Sequence, residues 1–201
     1  MSKKLLAAVS TVAILAGSTF AQAEDTLKVG VMATLEGTYT VLGEDGVRGI
    51  KTALAAFGGE AGGKKIELVI QSTDASPDSA VRAARKLVEQ DGLDVIIGPL
   101  SGSEGIAIRD YSKTQPQATF INGSSGAQET TFVNPSDNFF RFNSDGAQWS
   151  WGLGKYVHDV KGYKSVATIG EDYSFIYTQV LGFALDFCQA GGEITERFWV
   201  P

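Results

Sequence analysis

Val95-Ile96-Ile97-Gly98-Pro99-Leu100-Ser101-Gly102-Ser103-Glu104 runs from a short apolar strand through a Gly/Ser loop into a polar helix start. A strand that is apolar on both faces belongs in a parallel sheet covered by helices on both sides. The stretch therefore predicts an α/β fold, and the flanking segments repeat its pattern. Upstream, Leu27-Lys28-Val29-Gly30-Val31-Met32-Ala33-Thr34 and Ile66-Glu67-Leu68-Val69-Ile70 read as strands. Between them Val47, Ile50, Leu54 and Phe57 recur at helical spacing over 43–57, and Gly58-Gly59 and Gly62-Gly63 stop the chain. Ser76-Pro77-Asp78 opens a second helix, with Ser76 as cap, Pro77 in the first turn and Asp78 at the positive end of the dipole. Ala80, Ala83, Ala84, Leu87 and Val88 form its buried stripe. Downstream the pattern predicts helices over 103–113, 147–160 and 173–190. It predicts strands at 118–121, 165–169 and 194–200, and an edge or crossing strand at 139–142. Strand and helix alternate throughout, which implies right-handed βαβ units and an open parallel sheet.

The composition agrees with a globular chain. Its 201 residues are 43% hydrophobic and 20% charged, values that exclude disorder, collagen and coiled coil. The net charge is −6, and no Lys/Arg run is longer than a pair, as at Lys3-Lys4 and Lys64-Lys65, which argues against a nucleic-acid partner. A single Cys excludes an internal disulfide; one Cys with one His argues against a His/Cys metal site, and no cofactor is expected. Lys3-Lys4, the apolar run Leu5 to Gly17 and the site Ala21-Gln22-Ala23 read as a secretory signal peptide over 1–23. That apolar run is too short for a bilayer, which needs ~20 residues. The protein is thus expected to be exported, with no lipid anchor at a cleavage site that lacks Cys.

A polar, turn-rich stretch, Asn134-Pro135-Ser136-Asp137-Asn138, precedes the strand at Phe139, and a crossing between units is expected near Asn143. This divides the chain into a leader (1–23), a first α/β lobe (24–143) and the start of a second (144–201). Two strands and two helices make a thin second core. The chain also ends directly after a strand, so it reads as the N-terminal part of a longer protein.

In a parallel α/β sheet, ligands bind beyond the carboxyl ends of the strands. Four loops occupy those positions: 34–43, 98–104, 122–126 and 170–174. Two are rich in Gly and Ser, which offer approachable backbone amides and hydroxyl groups. The loop from Gly98 to Ser103 enters a helix, so its free amides and the helix dipole favour an anion, and a small carboxylate fits. Ser101, Ser103, Ser124 and Ser125 also suit plain helix capping. Tyr39 and Tyr173 stand on the other two loops as cover for an apolar ligand body. Phe175 and Tyr177 read as helix-face packing. Trp149 and Trp151, two apart on a helix, cannot share a face.

Enzyme signatures are weak. His158 reads as a solvated partner of a helix C-terminus beside Asp159. Gly123-Ser124-Ser125-Gly126 lacks the spacing of a nucleophile elbow and has no spare His. No Gly-x4-Gly-Lys-Ser/Thr phosphate loop is present, and Gly58 to Gly63 precedes a strand and so reads as a turn. The loop acids Glu36, Asp45, Glu171 and Asp172 read as solvated, and Cys188 as a small buried hydrophobe.

Taken in order, several pieces carry a resemblance. They are Leu27-Lys28-Val29-Gly30-Val31, the Gly37…Gly43 loop leading to Gly49, Asp74-Ala75-Ser76-Pro77, Val95-Ile96-Ile97-Gly98-Pro99, Ile121-Asn122-Gly123-Ser124-Ser125 and Glu171-Asp172-Tyr173. Together they resemble the periplasmic solute-binding proteins of ABC transporters, in the leucine/isoleucine/valine-binding (branched-chain amino acid) family. The resemblance implies a type I periplasmic binding fold. Two parallel-sheet, Rossmann-like lobes would trap a ligand between them, the second lobe being incomplete here. It implies a non-catalytic, monomeric receptor in the periplasm, with an inner-membrane ABC permease as partner. Residue by residue, the Ser101-Gly102-Ser103 loop would hold a ligand carboxylate through backbone and hydroxyl donors. Ser124 and Ser125 would serve the amino and carboxylate groups. Tyr173 would close over the ligand, and Leu42 or Tyr39 would supply apolar wall. The acid that pairs with an ammonium group normally lies in the part of the family fold missing here. A family subgroup takes up aromatic acids, and the loops Glu36-Gly37-Thr38-Tyr39 and Asp172-Tyr173-Ser174-Phe175 suit a benzoate-like ligand as well. An exported serine hydrolase using Ser124 or Ser125, and a sensor ectodomain of the same fold, are the competing classes.

Overall fold

The computed structural model describes residues 26–201; the leader expected over 1–23 lies outside the described residues. β1 (Thr26–Thr34) is the axis of the larger sheet. It pairs in parallel with β3 (Lys64–Thr73) on one side and with β4 (Val95–Ile97) on the other. β5 (Thr119–Asn122) and β6 (Phe139–Arg141) extend the sheet in parallel beyond β4. The segment 139–142, expected as an edge or crossing strand, is thus the parallel edge. At the opposite edge the double-glycine stop is more than a turn. Glu60–Ala61 forms a short antiparallel strand, β2, on β3, giving the order β2-β3-β1-β4-β5-β6.

The apolar alternation of the strands sets the layers. Met32, Ile96, Phe120 and Phe139 point to one face and pack with Ala80, Ala84 and Leu87 of α2 (Pro77–Arg85, continued by a wider π turn over Lys86–Gln90) and Ile108 and Tyr111 of α3 (Gly102–Ser112). Small Ala side chains let α2 approach the sheet closely. The expected Ser76 cap is present, its hydroxyl accepting the Ser79 N–H at 3.3 Å. The other face carries Val31, Ala33 and Ile97 toward Val47 and Ile50 of α1 (Thr40–Ala56), around a void of about 270 Å³.

A second, two-stranded parallel sheet pairs β7 (Ser165–Glu171) with β8 (Glu193–Val200), joined by α6 (Ser174–Gln189). The single helix expected over 147–160 is instead broken. α4 (Gly146–Ser150) ends before Gly152, whose φ of +85° is left-handed, and α5 (Leu153–Lys155) runs into a π turn over Tyr156–Val160. The break is held from outside, because the Asp186 carboxylate on α6 accepts the Gly152 N–H. Two further expectations change. Cys188 is exposed, not buried. His158 is not solvated: its side chain is 11% exposed, bonded to Asp159 at 2.7 Å and laid edge-on against Phe187.

Candidate functional site

Because β1, β4 and β5 are parallel, their carboxyl ends lie on one edge of the sheet. The β7–α6 turn reaches the same edge, where Ser174 and Phe175 lie against the place a Gly102 Cβ would occupy, at 2.8 and 3.0 Å. A cavity of about 530 Å³ opens between these loops, and six sequence-predicted residues line it: Tyr39, Leu42, Ser101, Gly102, Ser124 and Tyr173. Ser103 and Ser125 are not on its lining. The Ser103 hydroxyl lies 3.5 Å from that of Ser174. Ser125 is fully buried beside Gly105, its hydroxyl without a hydrogen-bond partner among the described residues.

The hydrogen bonds decide which donors remain for a ligand. Ser101 is the N-cap of α3 in a capping box: its Oγ accepts the Glu104 N–H at 3.2 Å, and the Glu104 carboxylate accepts the Ser101 N–H at 2.8 Å. The Ser101 hydroxyl in turn donates to the Ala75 carbonyl at 2.9 Å. Its expected role as a donor to the ligand is therefore taken up by the fold. Gly102 and Ser103, the next two residues, have amides with no preceding helical carbonyl to bond. At the neighbouring strand end the buried Asn122 side chain accepts the N–H groups of Ser124 and Ser125 at 3.1 and 2.8 Å. Their amides are committed as well, and the Ser124 hydroxyl is left over. On the cavity lining, the Gly102 amide at the start of α3 and the Ser124 hydroxyl are thus left as donors.

Burial pushes the Glu104 carboxyl above the usual carboxylate range, against opposing hydrogen bonds from Thr73 and Ser101.

The remaining walls come from residues outside the predicted binding set, although the spacing of Trp149 and Trp151 leaves one of them available to the cleft. Phe175, expected as helix-face packing, lines the cavity with Trp149, the two rings meeting edge to face at 5.3 Å. Tyr173 lies 6.3 Å from Phe175. Phe175 enters this position because Gly126 and Gly146 leave room: a Gly126 Cβ would sit 2.6 Å from its ring and a Gly146 Cβ 2.5 Å from its carbonyl oxygen. Asn143 also lines the cavity and is fixed by donating to the Ser124 and Ser144 carbonyls at 2.9 and 3.0 Å.

The α1 wall carries Tyr39, Leu42 and Asp45 at a spacing of three, hence on one face. The Tyr39 hydroxyl donates to Glu171 of β7 at 2.8 Å, and that bond, with burial, pushes its pKa up to about 12. Burial, then the Glu171 charge, raises the Tyr173 phenol. The helix begins earlier than expected, at Thr40 with Tyr39 as its N-cap; Tyr39, expected on a loop, and Asp45, expected as a solvated loop acid, both line the cavity.

A family profile described as a periplasmic binding protein matches residues 26–201. The chain is 25% identical over 202 aligned positions to the Leu/Ile/Val-binding protein homolog 6 of Brucella abortus (strain 2308), covering 100% of this chain and 50% of that protein. It thus spans about half the length of the curated relatives it matches over its whole length. Among solved structures it resembles an ABC-transporter solute-binding protein of Rhodopseudomonas palustris BisB5 in complex with 3,4-dihydroxybenzoic acid. There the TM-score is 0.81 and the identity 30%, over 89% of this chain and 48% of that one. It also resembles a solute-binding protein of R. palustris in complex with benzoate, with a TM-score of 0.81 and 26% identity, over 87% of this chain and 48% of that one.

Proposed function

The chain belongs to the periplasmic binding protein family, and we propose that it is the solute-capturing component of an ABC importer, taking a small aromatic carboxylate into the cavity between its two sheet units. One observation carries the reading: Gly102, whose amide is unspent, and Ser124, whose hydroxyl is unspent, line a cavity also lined by the rings of Tyr39, Trp149, Tyr173 and Phe175. The acid group binds at the N-terminus of α3, where donors and dipole are complementary to it. The rings enclose the flat apolar body. The solved relatives with benzoate and dihydroxybenzoate support this choice of ligand. The names of the curated relatives favour a second ligand, a branched-chain amino acid.

The protein acts without catalysis, in the periplasm, and delivers its ligand to an inner-membrane permease. The first lobe covers 24–143, the second begins at 144, and the open form binds the carboxylate on the first lobe before the second closes. The Tyr39–Glu171 and Ser103–Ser174 contacts join the two units in the closed arrangement. Closure is driven by the ligand only insofar as the ligand contacts both units.

Titration calorimetry of purified protein with benzoate and with L-leucine tests the proposal. Saturable benzoate binding, tighter than leucine binding, is the expected result. Absence of benzoate binding at millimolar concentration, or ester hydrolysis abolished by Ser124→Ala, refutes it.

A further inference from the structure

We propose that the α1 wall selects a hydroxyl group on the ring of the ligand, read by Asp45 and Tyr39; the inference rests on the aromatic-carboxylate reading above. The two groups share the face that borders the cavity, with Leu42 between them. Tyr39 spends its proton on Glu171 at 2.8 Å, so toward a ligand its oxygen is an acceptor. Asp45 is an acceptor of two oxygens. One of them, Oδ1, pairs with Arg48 on the solvent side; no hydrogen bond to Oδ2 exists among the described residues.

The cavity therefore offers groups of both kinds. Its lining contributes donors from α3 and Ser124, acceptors from Tyr39 and Asp45 of the α1 wall, and the rings of Trp149, Tyr173 and Phe175. A carboxylate satisfies the donors. Plain benzoate leaves the acceptors facing bare carbon and strips water from them, which costs affinity. A ring hydroxyl supplies the missing donor, and its bond to an ionised Asp45 is of the stronger, charge-assisted kind. A hydroxylated benzoate is then preferred over the unsubstituted acid.

The test measures dissociation constants of benzoate, 4-hydroxybenzoate and 3,4-dihydroxybenzoate by calorimetry, in the unaltered protein and in Asp45→Ala, Tyr39→Phe and the double variant. The unaltered protein should prefer the better hydroxylated acid by about tenfold, as one charge-assisted bond provides. Each single substitution should reduce the ratio, and the double variant should bring it close to one. Asp45 is surface-exposed, so its replacement is not expected to disturb folding, and retained cooperative melting confirms this. Benzoate binding with a ratio near one, or a ratio that survives in the double variant, overturns this inference and leaves the proposed function standing. Failure of every benzoate overturns the proposed function itself. Tight L-leucine binding lost on Asp45→Ala assigns the acceptors to an ammonium group and also overturns the inference.

Discussion

Replacing Gly126 with Ala tests the packing that brings Phe175 into the cavity. Gly126 is not in the left-handed region, so an Ala backbone is unstrained there and the added methyl acts only through contact. That methyl would lie 2.6 and 2.7 Å from two Phe175 ring carbons and 3.4 Å from the Ser144 carbonyl oxygen. Carbon–carbon contacts are comfortable near 3.5–4.0 Å, so the ring must withdraw by about 1 Å. Trp149 meets that ring edge to face at 5.3 Å, so the retreat disturbs a second wall of the cavity. Overpacking of this size costs about 1–3 kcal/mol. Falling wholly on the ligand-closed arrangement, it weakens benzoate binding by between about 5-fold and 150-fold. Calorimetry gives the affinity and urea unfolding gives the stability. A double-mutant cycle with Phe175→Leu isolates the collision: the Gly126→Ala penalty should shrink once the ring is gone. Unchanged affinity in Gly126→Ala, or a penalty that persists in full beside Phe175→Leu, refutes the reasoning.

Three further outcomes follow from the loop hydrogen bonds. Ser124→Ala should weaken carboxylate binding by about 0.5–1.5 kcal/mol, measured by calorimetry, because the unspent hydroxyl that its loop places on the cavity lining is removed. Ser125→Ala should leave affinity intact and raise the urea midpoint, since its hydroxyl is buried without a partner; a lower midpoint would point to a bond the geometry does not contain. Glu104→Gln should gain stability relative to the native protein as pH rises. The raised Glu104 pKa means that the folded state holds the proton more tightly than the unfolded one. Native stability is therefore full below the reference value of 4.5 and lost as pH climbs through the folded value. Melting temperatures of the two proteins that stay parallel from pH 4 to 8 would contradict this.

The parts of this fold legible in the chain are those whose causes are local. Ser76 and Ser101 announce helix starts because a cap needs only a side chain and an amide three residues on, and both caps form. Alternation in Val29 to Thr34 and the all-apolar Val95 to Ile97 needed no partner to be read as strands. The break at Gly152 was not legible, since it depends on Asp186, more than thirty residues away, capturing an amide. Phe175 was missed for the same reason. Helical periodicity sees only the faces of its own helix, whereas the notch for Phe175 is cut by Gly102, Gly126 and Gly146 on three other segments. The donor assignment inside the loops shifted because serines with the composition of a binding loop also serve as caps. Only the bonds to Glu104, Ala75 and Asn122 show which amides and hydroxyls are already spent.

Those spent donors also narrow the chemistry of the anion. A helix N-terminus by itself welcomes phosphate as readily as carboxylate. Here the capping box consumes the Ser101 amide and the Glu104 amide, and Asn122 consumes two more. Among the described residues no Lys or Arg lines the cavity, whereas Asp45 does, so a second negative charge on the ligand would find no cationic partner in the lining. Under the proposed reading, a singly charged carboxylate is the anion expected to bind best. The caps that start α3 and shape the β5 loop would then influence anion choice, because they use up amides that a ligand would otherwise meet.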